Sequence, residues 1–268
     1  MKLTLSEIIS ELERHFPPAL QEDYDNAGIQ VEAGDGYINK CLVTLDVTEA
    51  VIDEAVKKGC NLIIAHHPII FGKGLRHITM STPTERIIYK AVSNSISIYC
   101  AHTNADAVLE GTSKVMMDII GIKDYRILSP KTPGDLTCGS GAIGDLPKPM
   151  DAMEFLQKLK KDFQCGAIRY TAIVKDKVQR IAVCSGSGSF LLSEAKRLGA
   201  DVFVSGDFTY HKFFDADGRI IIADLGHYET EIGIKNIFVD ILQKKFCNFA
   251  VEKSDINTNP IKYLYNGR

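Results

Sequence analysis

The sequence predicts an α/β protein made of two duplicated α/β lobes with mostly parallel sheets, and three observations predict it. Short apolar runs such as Asn61–Ile64 and Ser95–Ala101 alternate with stretches of helical periodicity, the pattern of strands joined by crossover helices. Those runs show no polar alternation, as expected of strands covered on both faces. The second half of the chain also repeats the first: residues 41–67 align without gaps onto 181–207, an offset of 140 residues. Glu54 then falls on Glu194, Ala55 on Ala195, Gly59 on Gly199, Ile64 on Val204, and His66–His67 on Gly206–Asp207. Two copies of this length suggest paired lobes, not a solenoid.

Each element has a local reason. Thr4 and Glu7 form a capping-box signature, and Leu5, Ile8, Ile9, Leu12 and Phe16 follow at helical spacing until Pro17 and Pro18 stop the helix. Asp23–Val31 reads as a polar turn entering a short strand. Cys41–Thr48 is a strand, and Glu49–Lys58 a helix closed by Gly59. Thr84–Ser93 is helical, and the strand at Ser95–Ala101 runs straight into His102. From Ser129 to Pro149 the chain becomes rich in Gly and Pro, which marks a connection, so the lobes are expected at 1–128 and 150–268 with 129–149 between them. Gly139, Gly141 and Gly144 satisfy a GxGxxG pattern inside it, but no strand precedes and no helix follows, so no dinucleotide site is inferred. Beyond it, Asp151–Asp162 and Phe190–Leu198 read as helices, and Arg180–Ser185, Asp201–Asp207 and Gly218–His227 as strands with their loops. Thr230–Phe246 reads as one final helix.

Composition limits the function classes. A formal net charge of -3 excludes nucleic-acid or anionic-membrane binding by bulk electrostatics. No apolar run approaches the roughly 18 residues needed to span a bilayer. Seven Cys, an odd number without a CxxC pair, sit mostly in apolar runs and predict free thiols in a reducing compartment, hence a cytoplasmic protein.

The chemistry concentrates at strand ends. The strand at Asn61–Ile64 delivers His66 and His67, and Pro68 blocks its continuation. Adjacent imidazoles after an apolar run are costly to bury unless something binds them, and neutral imidazole is the commonest metal ligand. His102 and Asp106 follow the next strand, and His227 and Glu231 follow its counterpart in the second half. Each pair is a His with a carboxylate four residues on, one face of a helical turn. Carboxyl ends of strands in open α/β sheets are where ligands bind. Four imidazoles and two carboxylates suit Zn, Fe, Mn or Ni. Six donors exceed one tetrahedral ion and match two divalent ions sharing a bridging carboxylate and water. Ser185–Ser189, SGSGS, lies between a strand and a helix and reads as a plain βα turn, with a phosphate nest the lesser alternative. His211 is placed outside the site, and His102 or a neighbouring polar group such as Asp46 is a candidate for handling protons there. Lys73, Arg76 and Lys212 are the few basic residues near these motifs.

AHHPIIF, CAHTNAD, SGDFTYHKFFDA and DLGHYETE, in that order after DNAGIQV, resemble the Nif-three-like family, whose members are often described as GTP cyclohydrolase I type 2 homologues. The resemblance implies two similar lobes facing across a metal-containing cleft, a dinuclear centre there and a toroidal homohexamer. By motif it places ligands on His66, His67, Asp106, His227 and Glu231, with Glu231 as the bridge. The internal repeat adds His102. It further implies a metal-dependent hydrolase acting on a nucleotide or related small molecule, or alternatively a non-catalytic ring-shaped assembly protein.

Overall fold

The computed structural model describes residues 2–72 and 74–264, so Lys73 lies outside the described residues. The chain opens with β1 (Leu3–Thr4) and α1 (Leu5–His15). Thr4 caps α1 as expected: its hydroxyl accepts from the Glu7 N–H while the Glu7 carboxylate accepts from the Thr4 N–H. There follow β2 (Gly28–Val31), β3 (Tyr37–Ile38), β4 (Lys40–Thr44), α2 (Glu49–Lys58), β5 (Leu62–Ala65), α3 (Pro83–Ser93), β6 (Ser97–Cys100) and α4 (Thr103–Asp106). Next come α5 (Thr112–Ile120), β7 (Tyr125–Pro130), β8 (Gly139–Asp151), α6 (Ala152–Asp162), β9 (Arg169–Tyr170), β10 (Lys177–Val183), α7 (Leu192–Arg197) and β11 (Val202–Ser205). The chain continues through β12 (Ile221–Asp224), α8 (His227–Glu231), α9 (Ile234–Lys245) and β13 (Ala250–Lys253).

The chain divides into two compact units. The first holds residues up to Ala105 together with Ile234–Thr258, and the second holds Asp106–Gly233 with the segment from Asn259 on. The first contains a five-stranded sheet in the order β13-β4-β5-β6-β2, parallel except for β2. Leu42, Ile52, Ile63, Ile88 and Ile98 lie in its core. The second contains a six-stranded sheet in the order β7-β8-β10-β11-β12-β9. Its centre, β10-β11-β12, is parallel, and β7, β8 and β9 are antiparallel additions. Phe155, Leu159, Val178, Ile181 and Ile221 pack on one side of it, and Phe203, Phe208 and Ile222 on the other. Such two-sided burial is why these strands read as uninterrupted apolar runs.

The duplication is visible in the strands. Leu62–Ala65 and Val202–Ser205 are β5 and β11, related by the offset read from the sequence, and each pairs in parallel with the strand that precedes it in the repeat. Gly59 closes α2 in the left-handed conformation, as Gly199 ends the corresponding turn after α7.

The unit boundaries differ from those expected at 1–128 and 150–268. Residues 129–149 are not a connection: Ser129 and Pro130 end β7, and Gly139–Asp151 form β8. The glycines are there for close approach. A Cβ on Gly139 would sit 2.2 Å from the Ser129 carbonyl oxygen, one on Gly141 2.6 Å from that of Val183, and one on Gly144 2.7 Å from that of Asp124. The expected helix at Thr230–Phe246 is two helices, α8 and α9, parted at Gly233, whose missing side chain admits Val115 of α5: a Cβ would meet Val115 Cγ1 at 2.2 Å. After that break α9 and β13 return to the first unit, so neither lobe is a continuous half of the chain. Among the described residues no helix is long and apolar enough to cross a membrane.

The returning strand is clamped by Glu54 of α2. Its carboxylate accepts from the Ser254 hydroxyl at 2.5 Å and the Asp255 N–H at 2.8 Å, and lies 2.8 Å from Lys58 Nζ. Burial pushes the Glu54 carboxyl up, but Lys58, Ser254 and the Asp255 N–H outweigh it and hold it below its ordinary 4.5. A depressed carboxyl contributes stability above its ordinary value and loses it as pH falls through the folded one. Glu54→Gln is therefore expected to cost about 1–3 kcal/mol near neutral pH. In urea unfolding followed against pH, the gap from wild type should narrow as pH falls below 4.5.

Candidate metal centre

The first unit assembles three imidazoles. His66 and His67 leave the end of β5, and both backbone N–H groups donate to the Leu45 carbonyl, which fixes the turn at 3.1 Å for each. His102 leaves the end of the adjacent parallel strand β6, and its N–H donates to Asn104 Oδ1. Parallel neighbours end at the same edge of a sheet, so three rings separated in sequence meet there. Ring centroids are 5.0 Å apart for His66–His67, 5.2 Å for His66–His102 and 5.4 Å for His67–His102, a nearly equilateral tripod. One ring nitrogen from each lies within 4.8 Å of the others.

Every Nδ1 already has an acceptor. His66 Nδ1 lies 2.8 Å from the Ala101 carbonyl, His67 Nδ1 2.7 Å from Asp46 Oδ1, and His102 Nδ1 2.7 Å from Asp25 Oδ1. Ligating histidines are commonly held in this way, with one ring nitrogen on a carboxylate or carbonyl. Asp25 is fully enclosed and also accepts from the Thr103 N–H and hydroxyl. Burial pushes its carboxyl up, yet the bonds from His102 and Thr103 prevail and keep it well below the ordinary carboxylate range. The turn carrying Asp25 is pinned to the His-pair segment by Asn26 Nδ2 donating to the Ile70 carbonyl and Ile70 N–H donating to Gln30.

The second unit holds Asp106, His227 and Glu231. His227 opens α8 just past β12, and Glu231 stands one turn on, with its Oε2 3.0 Å from His227 Nε2. His227 Nδ1 lies 2.7 Å from Asp207 Oδ2, which places the ring between two carboxylates. His227 Nε2 and Glu231 Oε2, set side by side, are donor atoms of the kinds that ligate Zn, Fe, Mn or Ni. Glu231 is 3% exposed, so its carboxylate has little access to water. Asp106 accepts from the Thr112 hydroxyl at 2.6 Å and lies 3.4 Å from Ser185 Oγ.

The SGSGS loop is not a phosphate nest. The Gly186 N–H donates to Thr230 Oγ1 and the Gly188 N–H to Ser205 Oγ, so these donors are spent inside the unit. Gly186, with φ of +56°, instead forms the wall beside Glu231: a Cβ there would lie 2.2 Å from Glu231 Oε1 and 3.2 Å from His227 Cε1.

The structure thus brings His66, His67 and His102 together in one unit, and His227 and Glu231 together in the other. His211 lies outside, exposed and packed against Tyr210 and Phe214. Arg76 and Lys212 are exposed, and Lys212 pairs with Asp215. The Asp46 carboxylate, a candidate for handling protons, lies 2.7 Å from His67 Nδ1. Asp25 and Asp207 were not anticipated as site residues. Signals for both existed: Asp25 stands in DYDNAGIQV, and the repeat sets Asp207 on the position of His67. Asp207 also adopts a φ of +57°, an unusual conformation for a residue with a side chain.

Residues 3–260 match the Duf34/NIF3 family (NGG1p interacting factor 3). The chain is 33% identical over 268 residues to a Clostridium acetobutylicum protein named GTP cyclohydrolase 1 type 2 homolog, covering 98% of this chain and all of that one. A Clostridium perfringens protein of the same name is 36% identical over 230 residues, 85% of this chain and 87% of that one. Among solved structures, a Bacillus cereus protein related to NIF3 superposes with a TM-score of 0.89 at 25% identity, over 98% of this chain and 99% of that one. Reduced HcgD from Methanocaldococcus jannaschii gives 0.79 at 26%, over 96% and 99%.

Proposed function

The chain belongs to the Duf34/NIF3 family, and from that premise we propose that it is a metal-dependent hydrolase whose six donors hold two divalent ions and act on a nucleotide or related small molecule. The observation that carries this reading is the tripod of His66, His67 and His102, with one ring nitrogen of each within 4.8 Å of the others and each Nδ1 held by an acceptor. The donors are nitrogen and carboxylate oxygen, which suits Zn, Fe, Mn or Ni. When bound, such ions supply Lewis acidity and lower the pKa of coordinated water. His66, His67, His102 and His227 would supply neutral donors, and Asp106 and Glu231 the two negative charges of the donor set. Glu231, with its position enforced by Gly186, is the carboxylate suited to bridging. Thr112 and Ser185 restrain Asp106. Five buried thiols with no disulfide among the described residues fit a reducing, cytoplasmic setting.

The test is a turnover screen of zinc-, manganese- and iron-loaded protein with nucleoside triphosphates, phosphodiesters and cyclic amides. A hydrolase loses measurable turnover in Asp106→Asn while its circular dichroism stays native. Turnover that survives this substitution sinks the reading.

A second reading, a ring-shaped homohexameric assembly protein, is favoured by a groove of about 590 Å³ in the second unit, lined by Arg169, Tyr170, Val174, Tyr210, Phe213 and Phe214. Tyr210 and Phe214 are 72% and 67% exposed, and aromatic side chains are enriched at interfaces. Phe214→Asp is expected to convert a hexamer to smaller species in light scattering at micromolar protein. An unchanged mass would remove this groove from the assembly.

A further inference from the structure

We propose that Asn259 is a positioning residue for α8: through Glu229 the segment from Asn259 on holds the helix that carries His227 and Glu231, and a metal ion bound by those donors in turn stiffens that segment. The second half of the proposal rests on the metal-binding reading, and the first half is testable without it.

Helix α8 has little hold on its own shape. It spans His227–Glu231, and Gly226 before it offers no side chain to cap it. Isolated helices are marginal even at about 12–15 residues, so a helix this short is fixed by its neighbours. Successive helical residues turn by about 100°, which puts His227 and Glu231 on one side of α8 and Glu229, about 200° from His227, on the other. Near the donor side, the Thr230 hydroxyl accepts from the Gly186 N–H. The back of the helix is held through Glu229.

Glu229 is 8% exposed, and a carboxylate so enclosed is costly without hydrogen-bond donors. Among the described residues, the hydrogen bond it receives comes from Asn259, whose Nδ2 lies 3.0 Å from Glu229 Oε1. Asn259 belongs to the same unit as α8. Its Oδ1 accepts from the Ile261 N–H at 2.9 Å, and its carbonyl accepts from Lys262 Nζ at 3.1 Å. An N–H only donates and a carboxylate only accepts, so both side-chain contacts call for the same orientation of the amide. Further on, Tyr263 lies against Gly166, where a Cβ would meet Tyr263 Cδ2 at 2.1 Å. The described residues from Ser254 on have no regular secondary structure, so side-chain contacts such as these hold the segment in place. In Asn259→Ala the Glu229 carboxylate loses that donor and is drawn toward water, and α8 is loosened with it.

The experiment is amide hydrogen exchange on the full chain, metal-free and with zinc, beside zinc affinity measured by chelator competition. In metal-free protein, Asn259→Ala should speed exchange of the Ile232 N–H, which closes α8 on the Tyr228 carbonyl, about 10-fold. The Cys184 N–H, which donates to the Val204 carbonyl within the sheet, should exchange as in wild type. Zinc affinity should fall about 10-fold in Asn259→Ala. In the Glu229→Ala/Asn259→Ala double variant the loss should be no greater than in Glu229→Ala alone, because Asn259 acts through Glu229. In wild type, bound zinc should slow exchange of the Ile261 N–H, the reciprocal of the same coupling. Losses of affinity that multiply, Ile232 exchange unchanged in Asn259→Ala, or an Ile261 N–H indifferent to bound zinc each overturn the proposal. If Asn259→Ala does not fold, the response of the wild-type Ile261 N–H to zinc decides. A wild type that takes up no zinc sinks the metal reading, and Ile232 exchange then decides whether Asn259 holds α8.

Discussion

His66→Ala is expected to weaken zinc binding by well over the roughly 100-fold that marks the loss of an outer partner, because it deletes a ligand and opens the tripod. His66 is wholly enclosed and leans on both other rings, so neither neighbour can move over to replace it. His66 Nδ1 is anchored on the Ala101 carbonyl, in the turn that also starts His102, so the substitution loosens two of the three donors. Zinc titration in the presence of a chelator reads this directly. A His66→Ala protein that retains wild-type affinity would show that the tripod is a packed cluster of core histidines and not a ligand set.

Gly186→Ala carries the second large effect. At a φ of +56° any side chain is strained, at about 1–2 kcal/mol, and here the added Cβ would also lie 2.2 Å from Glu231 Oε1. Gly59→Ala separates the two causes. Gly59 has a φ of +69° with nothing within 4 Å of a Cβ, so its substitution brings strain alone. Both variants should lower the melting temperature by several degrees, in line with about 1–2 kcal/mol. Only Gly186→Ala should also lose a metal ion, because Glu231 and His227 must shift away. Equal metal content in the two variants would contradict the role assigned to the loop.

The parallel cores were legible because two-sided burial writes itself as uninterrupted apolar runs. Hence β5 and β11 emerge at the offset read from the sequence. The donors at strand ends were legible for a related reason: each His stands where an apolar run stops, and Pro68 marks one such stop. Three features were hidden. β8 is written in glycine and proline because it is squeezed between β7 and β10, a tertiary demand that locally resembles a linker. The break at Gly233 answers to Val115, more than a hundred residues away. The partners of the histidines, Asp25 and Asp207, lie 77 and 20 residues from the rings they hold, beyond the reach of any spacing rule.

Whether these histidines and carboxylates hold metal is read from the metal content of the protein itself. The most direct measurement is elemental analysis of natively purified protein beside a His66→Ala/Glu231→Ala double variant. The account predicts about two divalent ions per chain in the wild type and essentially none in the variant, with both folded. A wild type that carries no metal and takes up none when zinc, manganese or iron is added contradicts the metal reading, and the hydrolase reading falls with it.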